Sequence, residues 1–305
     1  MKRKSGLSKL NAVLAVILVV CIAATAIVIN QYPKITEQAS TETTNEDVSV
    51  LEKSFEAGTY GGKDFQSIED VVNYYNECYN YTKTLTAQYT ENGETKEYYK
   101  LLGDENLNVG NLLVEGKSNG TLDSLVPGIV GGLFKGSPHG LSPSSSKMLS
   151  TDTKVDGTVN CATSMLTAED VLDANVVDNN DGTITITIQP KAVLLSMPGQ
   201  DAQGHFFNSL GDISSVVNSI DALSFSQGTI DENFVVNYKG GTGKITIDTK
   251  TGEITAADYE MLVHIDVIHA NVLVLKDKSA SLDISYTNHF PASDEFLAKY
   301  DMARK

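Results

Sequence analysis

The sequence predicts an α+β protein: an antiparallel sheet covered by a few helices and preceded by one N-terminal transmembrane helix. Three observations predict it. Residues 12–29 form an unbroken apolar run. Residues after Ser67 repeat apolar side chains at helical spacing. Beyond residue 170 the apolar side chains recur at every second position, between turns rich in Gly and Asn. Period 3.6 reads as helix and period 2 as a half-buried strand.

The apolar run comes first in the chain. From Ala12 to Ile29 there is no charge, and Thr25 is its conventionally polar side chain. About 20 residues at about 1.5 Å rise span a bilayer core, so the run is just long enough. Lys2, Arg3, Lys4 and Lys9 all precede it. The positive-inside rule then places residues 1–9 in the cytoplasm and everything beyond residue 30 outside. Three fates are open: a retained signal anchor over residues 10–30, a cleaved signal, or a lipoprotein acylated at Cys21. Ala24-Thr25-Ala26 fits a small-x-small cleavage site, but Ile27-Val28-Ile29 continues the apolar run past it and favours retention. Val19 and Val20 fit poorly before a lipidated cysteine. The expected location is the cell membrane, single-pass, with the C-terminal domain extracytoplasmic.

Charge narrows the partners. Five of the 23 basic residues and none of the 39 acids fall in residues 1–34, leaving 18 basic against 39 acidic residues beyond them. Such a surface repels phosphate backbones and anionic headgroups, which excludes nucleic acid as a partner.

The remaining elements follow in order. Residues 31–62, rich in Thr, Ser and Glu, are too polar to bury and read as a stalk. An extracytoplasmic domain is expected over 63–295 and a C-terminal tail over 296–305. Ser67 caps a helix whose first turn carries Glu69 and Asp70, and Ile68, Val71, Val72, Tyr75, Cys78 and Tyr79 give it one apolar face. Its tyrosines read as packing groups with wet hydroxyl tips. Residues 84–102 read as a hairpin turning at Asn92-Gly93. Residues 121–148 mix apolar side chains with Gly, Pro and Ser, and read as a short helix and then a loop: a mobile lid or a long insertion. Thr167 starts a second short helix. A hairpin turns at Asp181-Gly182 with Ile184, Ile186 and Ile188 on one face. Residues 206–223 read as helix. Four strands in a meander follow, with turns at Gly240-Gly241 and Thr251-Gly252.

This order of elements, with "IEDVVNYYNECYN", "LTAEDV" and the hairpin "KITIDTKTGEITAADYEM", resembles membrane-anchored extracytoplasmic proteins of Gram-positive bacteria with a lipoprotein-carrier-like half barrel. The resemblance spans roughly residues 65–290. It implies that the sheet is strongly curved, a half barrel wrapped around the helices, whose concave face holds a lipid or another apolar molecule, and it supplies no catalytic motif.

Chemical motifs are few. Ser144-Ser145-Ser146-Lys147 and Lys250-Thr251-Gly252 imitate the Ser-x-x-Lys and Lys-Thr-Gly pair of penicillin-recognising enzymes. That serine should open a buried helix, yet here it lies in a Ser/Pro loop, and Lys-Thr-Gly falls at a turn. His264 and Asp266 share a strand face with Glu260, a set suited to a metal or to acid–base work but opposite the apolar face. The "DNNDG" stretch is a turn rather than a calcium loop. Cys78 and Cys161 both lie outside the membrane, where a disulfide between them is possible.

The expected activity is therefore binding without catalysis or cofactor. The expected ligand lining is Phe234, Val236, Tyr238, Met261, Val263, Ile265, Leu282 and Ile284, gated by residues 125–141. The alternative is a cell-surface interaction or scaffold module in which those residues are simply core, with an envelope protein as partner. An envelope hydrolase comes third.

Overall fold

The structure is a computed structural model that describes residues 47–118, 136–144, 146–152, 161–209, 223–272 and 275–305. Within them the chain is mostly antiparallel sheet with few helices, an α+β fold whose large curved sheet does not close. No helix among the described residues is long and apolar enough to cross a membrane, and the run at 12–29 lies outside them.

A short hairpin, β1 (Gly58–Tyr60) with β2 (Lys63–Phe65), leads into α1 (Ile68–Thr84). Ser67 caps α1: its hydroxyl accepts from the Asp70 amide, and the Asp70 carboxylate accepts from the Ser67 amide at 2.9 Å. The expected face is buried at Val71, Val72, Tyr75, Cys78 and Tyr79. Tyr75 and Tyr79 are not wet at their tips. The Tyr75 hydroxyl lies 3.1 Å from that of Tyr259, and Tyr79 donates to the carbonyls of Leu141 and Pro143.

The expected hairpins form. In β3 (Thr86–Glu91) and β4 (Glu94–Tyr99) the turn residues Asn92 and Gly93 both take positive φ. Strand β5 (Asp104–Val114) turns back into β6 (Lys117–Ser118). The helix expected at Thr167 is a single 3-10 turn, Ala168–Asp170. It feeds β7 (Val171–Asp178), because the next side chains alternate as a strand. Strand β8 (Thr183–Pro190) follows, then β9 (Val193–Leu194) and the short helix α2 (Ala202–Phe206). Most of the helix expected over 206–223 lies outside the described residues. The chain resumes with β10 (Leu223–Phe225), α3 (Ile230–Asn233), β11 (Phe234–Tyr238), β12 (Thr242–Asp248), β13 (Ile254–Val272) and β14 (Leu275–Phe290).

The main sheet runs β6-β5-β14-β13-β12-β8-β7, with β10 and β11 also on β13, and β9 beside β11. This corrects the expected meander. Strands β11 and β12 do not pair with each other but lie end to end along one edge of β13. Tyr238 faces Val263 while Thr242 faces Glu260, so four steps of one strand match three of the other, a bulge. Gly240 takes φ +79° there. A side chain on Gly241 would sit 2.6 Å from the Glu260 carbonyl. The Gly-Gly pair is thus a kink within a ribbon, not a hairpin turn.

One face of this sheet is a continuous apolar row: Val176, Ile186, Ile245, Ala257 and Phe290 are cross-strand partners in sequence. Each is buried. Helix α1 covers this end, pinned where the Ile254 amide donates to Thr82 Oγ1 at 2.8 Å.

Both ends of the described chain, residues 47–62 and 296–305, differ from expectation. Residues 47–62, expected as stalk, are bonded to the sheet instead. Gln189 accepts from the Val50 amide and donates to the Val48 carbonyl, Asp47 accepts from the Ala192 amide, and Asp173 accepts from the Ser49 and Ser54 hydroxyls. Polar side chains of the sheet hold this polar segment in place. The expected tail over 296–305 contains most of α4 (Asp294–Ala298) and β15 (Met302–Arg304). Strand β15 pairs with β3 and completes a three-stranded sheet with its own small core of Tyr89, Tyr98, Leu102, Leu297 and Met302.

Candidate functional site

The eight residues expected to line a concavity do come together. Register places Val236, Ile265 and Leu282 in one row and Tyr238, Val263 and Ile284 in the next, with Met261 and Phe234 on the same face. The apolar period puts them there: each sits an even number of residues from its strand neighbours. All eight are core, however, with no more than 6% of any one exposed. Of the segment expected to gate them, 136–141 is described and is seated: Gly136, His139, Gly140 and Leu141 are buried. Residues 125–135 lie outside the described residues.

Polar chemistry is concentrated under that seated segment, in two clusters the sequence did not single out. In the first, the last turn of α1 carries Lys83 inward. Its Nζ lies 2.5 Å from Asp152 Oδ2, with the side chains 1% and 0% exposed. The same oxygen accepts from the Tyr99 and Ser144 hydroxyls, each at 2.9 Å. Lys83 Nζ also stands 4.5 Å from the Tyr99 ring centre and 3.4 Å from the Leu141 carbonyl. Burial lowers the Lys83 pKa, and the neighbouring Asp152 pulls it back up. Gly140 closes over the site because any side chain there would strike the Tyr99 ring.

The second cluster lies beside it. Ser142 donates to Asn288, whose amide nitrogen is 3.4 Å from His139 Nε2. His139 Nδ1 is 2.6 Å from the Gly140 carbonyl and so donates to it, while Nε2 faces the Asn288 amide and, at 3.9 Å, the Glu105 carboxylate. Glu105 accepts from the Tyr286 hydroxyl and the Ser137 amide. Asn288 is thus a polar intrusion on the apolar face, matched by a polar strap.

The Ser-x-x-Lys motif is split by the fold. Ser144 faces Asp152, whereas Lys147 pairs with Glu91 and stands over the Tyr98 ring. Lys250-Thr251-Gly252 forms the β12–β13 turn.

On the outer face His264 sits between two carboxylates, Nδ1 2.6 Å from Asp283 and Nε2 3.2 Å from Asp266. The hydrogen bond to Asp266 raises its pKa to about 9, burial opposes this, and Asp283 adds to it. The ring is therefore a cation at neutral pH and pins two strands rather than acting as a base near pH 7. Glu260 bonds Ser285 instead of joining the pair. No three His, Cys, Asp or Glu side chains among the described residues are placed to hold a metal ion.

Cys78 and Cys161 are not joined; each is a buried thiol. Burial pushes the Cys78 pKa up to about 11, an unreactive state.

Comparison of the chain with protein-family models, with curated proteins and with solved structures returns no match.

Proposed function

We propose that this chain is a membrane-tethered extracytoplasmic interaction module that works through its surface, with its concave sheet filled by its own core. The burial of Phe234, Val236, Tyr238, Met261, Val263, Ile265, Leu282 and Ile284 carries the reading. A cavity wide enough for an acyl chain leaves its walls accessible to a water-sized sphere, and these walls are not. The apolar run at 12–29 supplies the tether, and the acidic domain beyond it keeps nucleic acid away. The partner in this reading is an envelope protein. Val48, Val50, Leu194 and Leu195 leave apolar side chains exposed around the corner where Asp47 meets Ala192.

Carriage of a lipid or other apolar ligand is the second reading, favoured by the curved, unclosed, one-sided apolar sheet. Mass spectrometry of the protein extracted from its own membrane in mild detergent separates the two. Bare polypeptide in the native spectrum is the expected result. An added mass the size of a lipid, lost on denaturation, overturns the interaction reading. A photo-crosslinker at Leu194 is then expected to yield one discrete protein adduct that a crosslinker at exposed Glu94 does not.

A further inference from the structure

Lys83 and Asp152 form an uncommon pair for a surface domain. They come from distant parts of the chain: Lys83 from the last turn of α1, and Asp152 from the cap that follows the 3-10 turn Leu149–Thr151. They meet with both side chains out of water, nitrogen to oxygen at 2.5 Å. Ion pairs so dry lose most of their attraction to desolvation, and burial pushes Lys83 toward its neutral amine. A neutral amine is a nucleophile, and a carboxyl is the acyl group it can attack. The two hydroxyls of Tyr99 and Ser144 converge on Oδ2, the same carboxyl oxygen that Lys83 touches, as donors do on an oxygen that must depart.

We propose that Lys83 and Asp152 join in a covalent amide, closing the chain between α1 and the strap over it. Nζ first passes one proton to Oδ2, the carboxyl oxygen it touches. The Nζ lone pair then attacks the Asp152 carboxyl carbon. After attack, the carbon–Oδ2 bond breaks, a second amine proton passes to Oδ2, and it leaves as water with the Tyr99 and Ser144 hydroxyls still hydrogen-bonded to it. One N–C bond forms, one C–O bond breaks, one water is released, and no oxidant or cofactor takes part. The fold itself supplies the proximity that normally limits such a condensation. The tight cover given by Gly140 and the Leu141 carbonyl keeps bulk water from reversing it.

Peptide mapping of the full-length protein, denatured and digested with trypsin, tests the bond. The expected result is a branched peptide containing Lys83 and Asp152, uncleaved after Lys83 and about 18 Da lighter than its two parts. Separate peptides of full mass, with cleavage after Lys83, overturn it. So does a water loss confined to the Asp152 peptide, which is a succinimide. Lys83→Arg keeps the cation and is expected to abolish the branched peptide. Tyr99→Phe and Ser144→Ala keep both reacting groups and are expected to slow its appearance about tenfold or more each. Unchanged linkage in both would remove the role given to the two hydroxyls.

Discussion

His264 shows how a polar residue on an otherwise solvated face becomes structural. Its ring is held from both sides by Asp266 and Asp283, and Asn111 holds the second oxygen of Asp283 at 2.6 Å. The folded pKa, about 9, lies above the ordinary 6.5. A raised pKa means the folded state binds the proton more tightly, so this stabilisation is complete below pH 6.5 and fades as pH climbs through 9. Denaturation of wild type and His264→Gln at pH 6 and pH 10 checks this: the gap between them is expected to shrink at the higher pH. A gap that is unchanged or wider there contradicts the pairing. The sequence spacing of His264 and Asp266 displayed half of this arrangement. Asp283 arrives from the neighbouring strand, and no spacing announces it. Lys83 was legible in principle, because it continues the row Tyr75, Tyr79, Lys83 at steps of four. A lysine at the end of a helix reads first as a dipole partner, and its burial depends on Asp152, which is 69 residues away.

Among elements, α1 and the two Asn-Gly and Asp-Gly hairpins were legible because their signals are local: a cap, a period and a turn dipeptide. Ser67→Ala is expected to cost about 1 kcal/mol, the usual value of a lost N-cap, read as a shift in denaturation midpoint. The β11–β12 junction was not legible, since Gly-Gly marks a bulge and a hairpin turn equally well. Only pairing with β13 tells them apart. The two kinds of glycine give a graded test. Gly93 has open space around it, so Gly93→Ala pays only for its positive φ, about 1 kcal/mol. Gly241→Ala drives a methyl group into the backbone of β13 and is expected to cost about 1–3 kcal/mol or more. Equal costs would mean that the ribbon does not bulge at Gly240-Gly241.

At the scale of the whole molecule, the described residues form one large core and one small one, and this division bears on function. The large core runs across the main sheet and takes in all eight residues expected to face a ligand. If they are core, Ile265→Ala is expected to destabilise by about 2–5 kcal/mol, whereas Leu194→Ala at an exposed position stays within about 0.5 kcal/mol. A ligand-lining residue behaves differently: its truncation leaves the empty protein nearly as stable and weakens only the loaded form. The small core joins β3, β4, β15 and α4, and Ala292 bonds its backbone to Leu102 at one end. So few buried side chains hold their hydrogen bonds weakly, and local opening follows from local core size. Backbone amides of β3, β4 and β15 are therefore expected to exchange with solvent before those of β8, β12 and β13, under conditions where the protein stays folded. Synchronous exchange of the two groups would mean that the strap at residues 136–144 and 146–152 couples the cores into one cooperative unit. A covalent tie at Lys83 and Asp152 predicts where that coupling would concentrate: breaking it by Lys83→Arg is expected to hasten exchange in β4, where Tyr99 touches the pair, and to leave β12 unchanged.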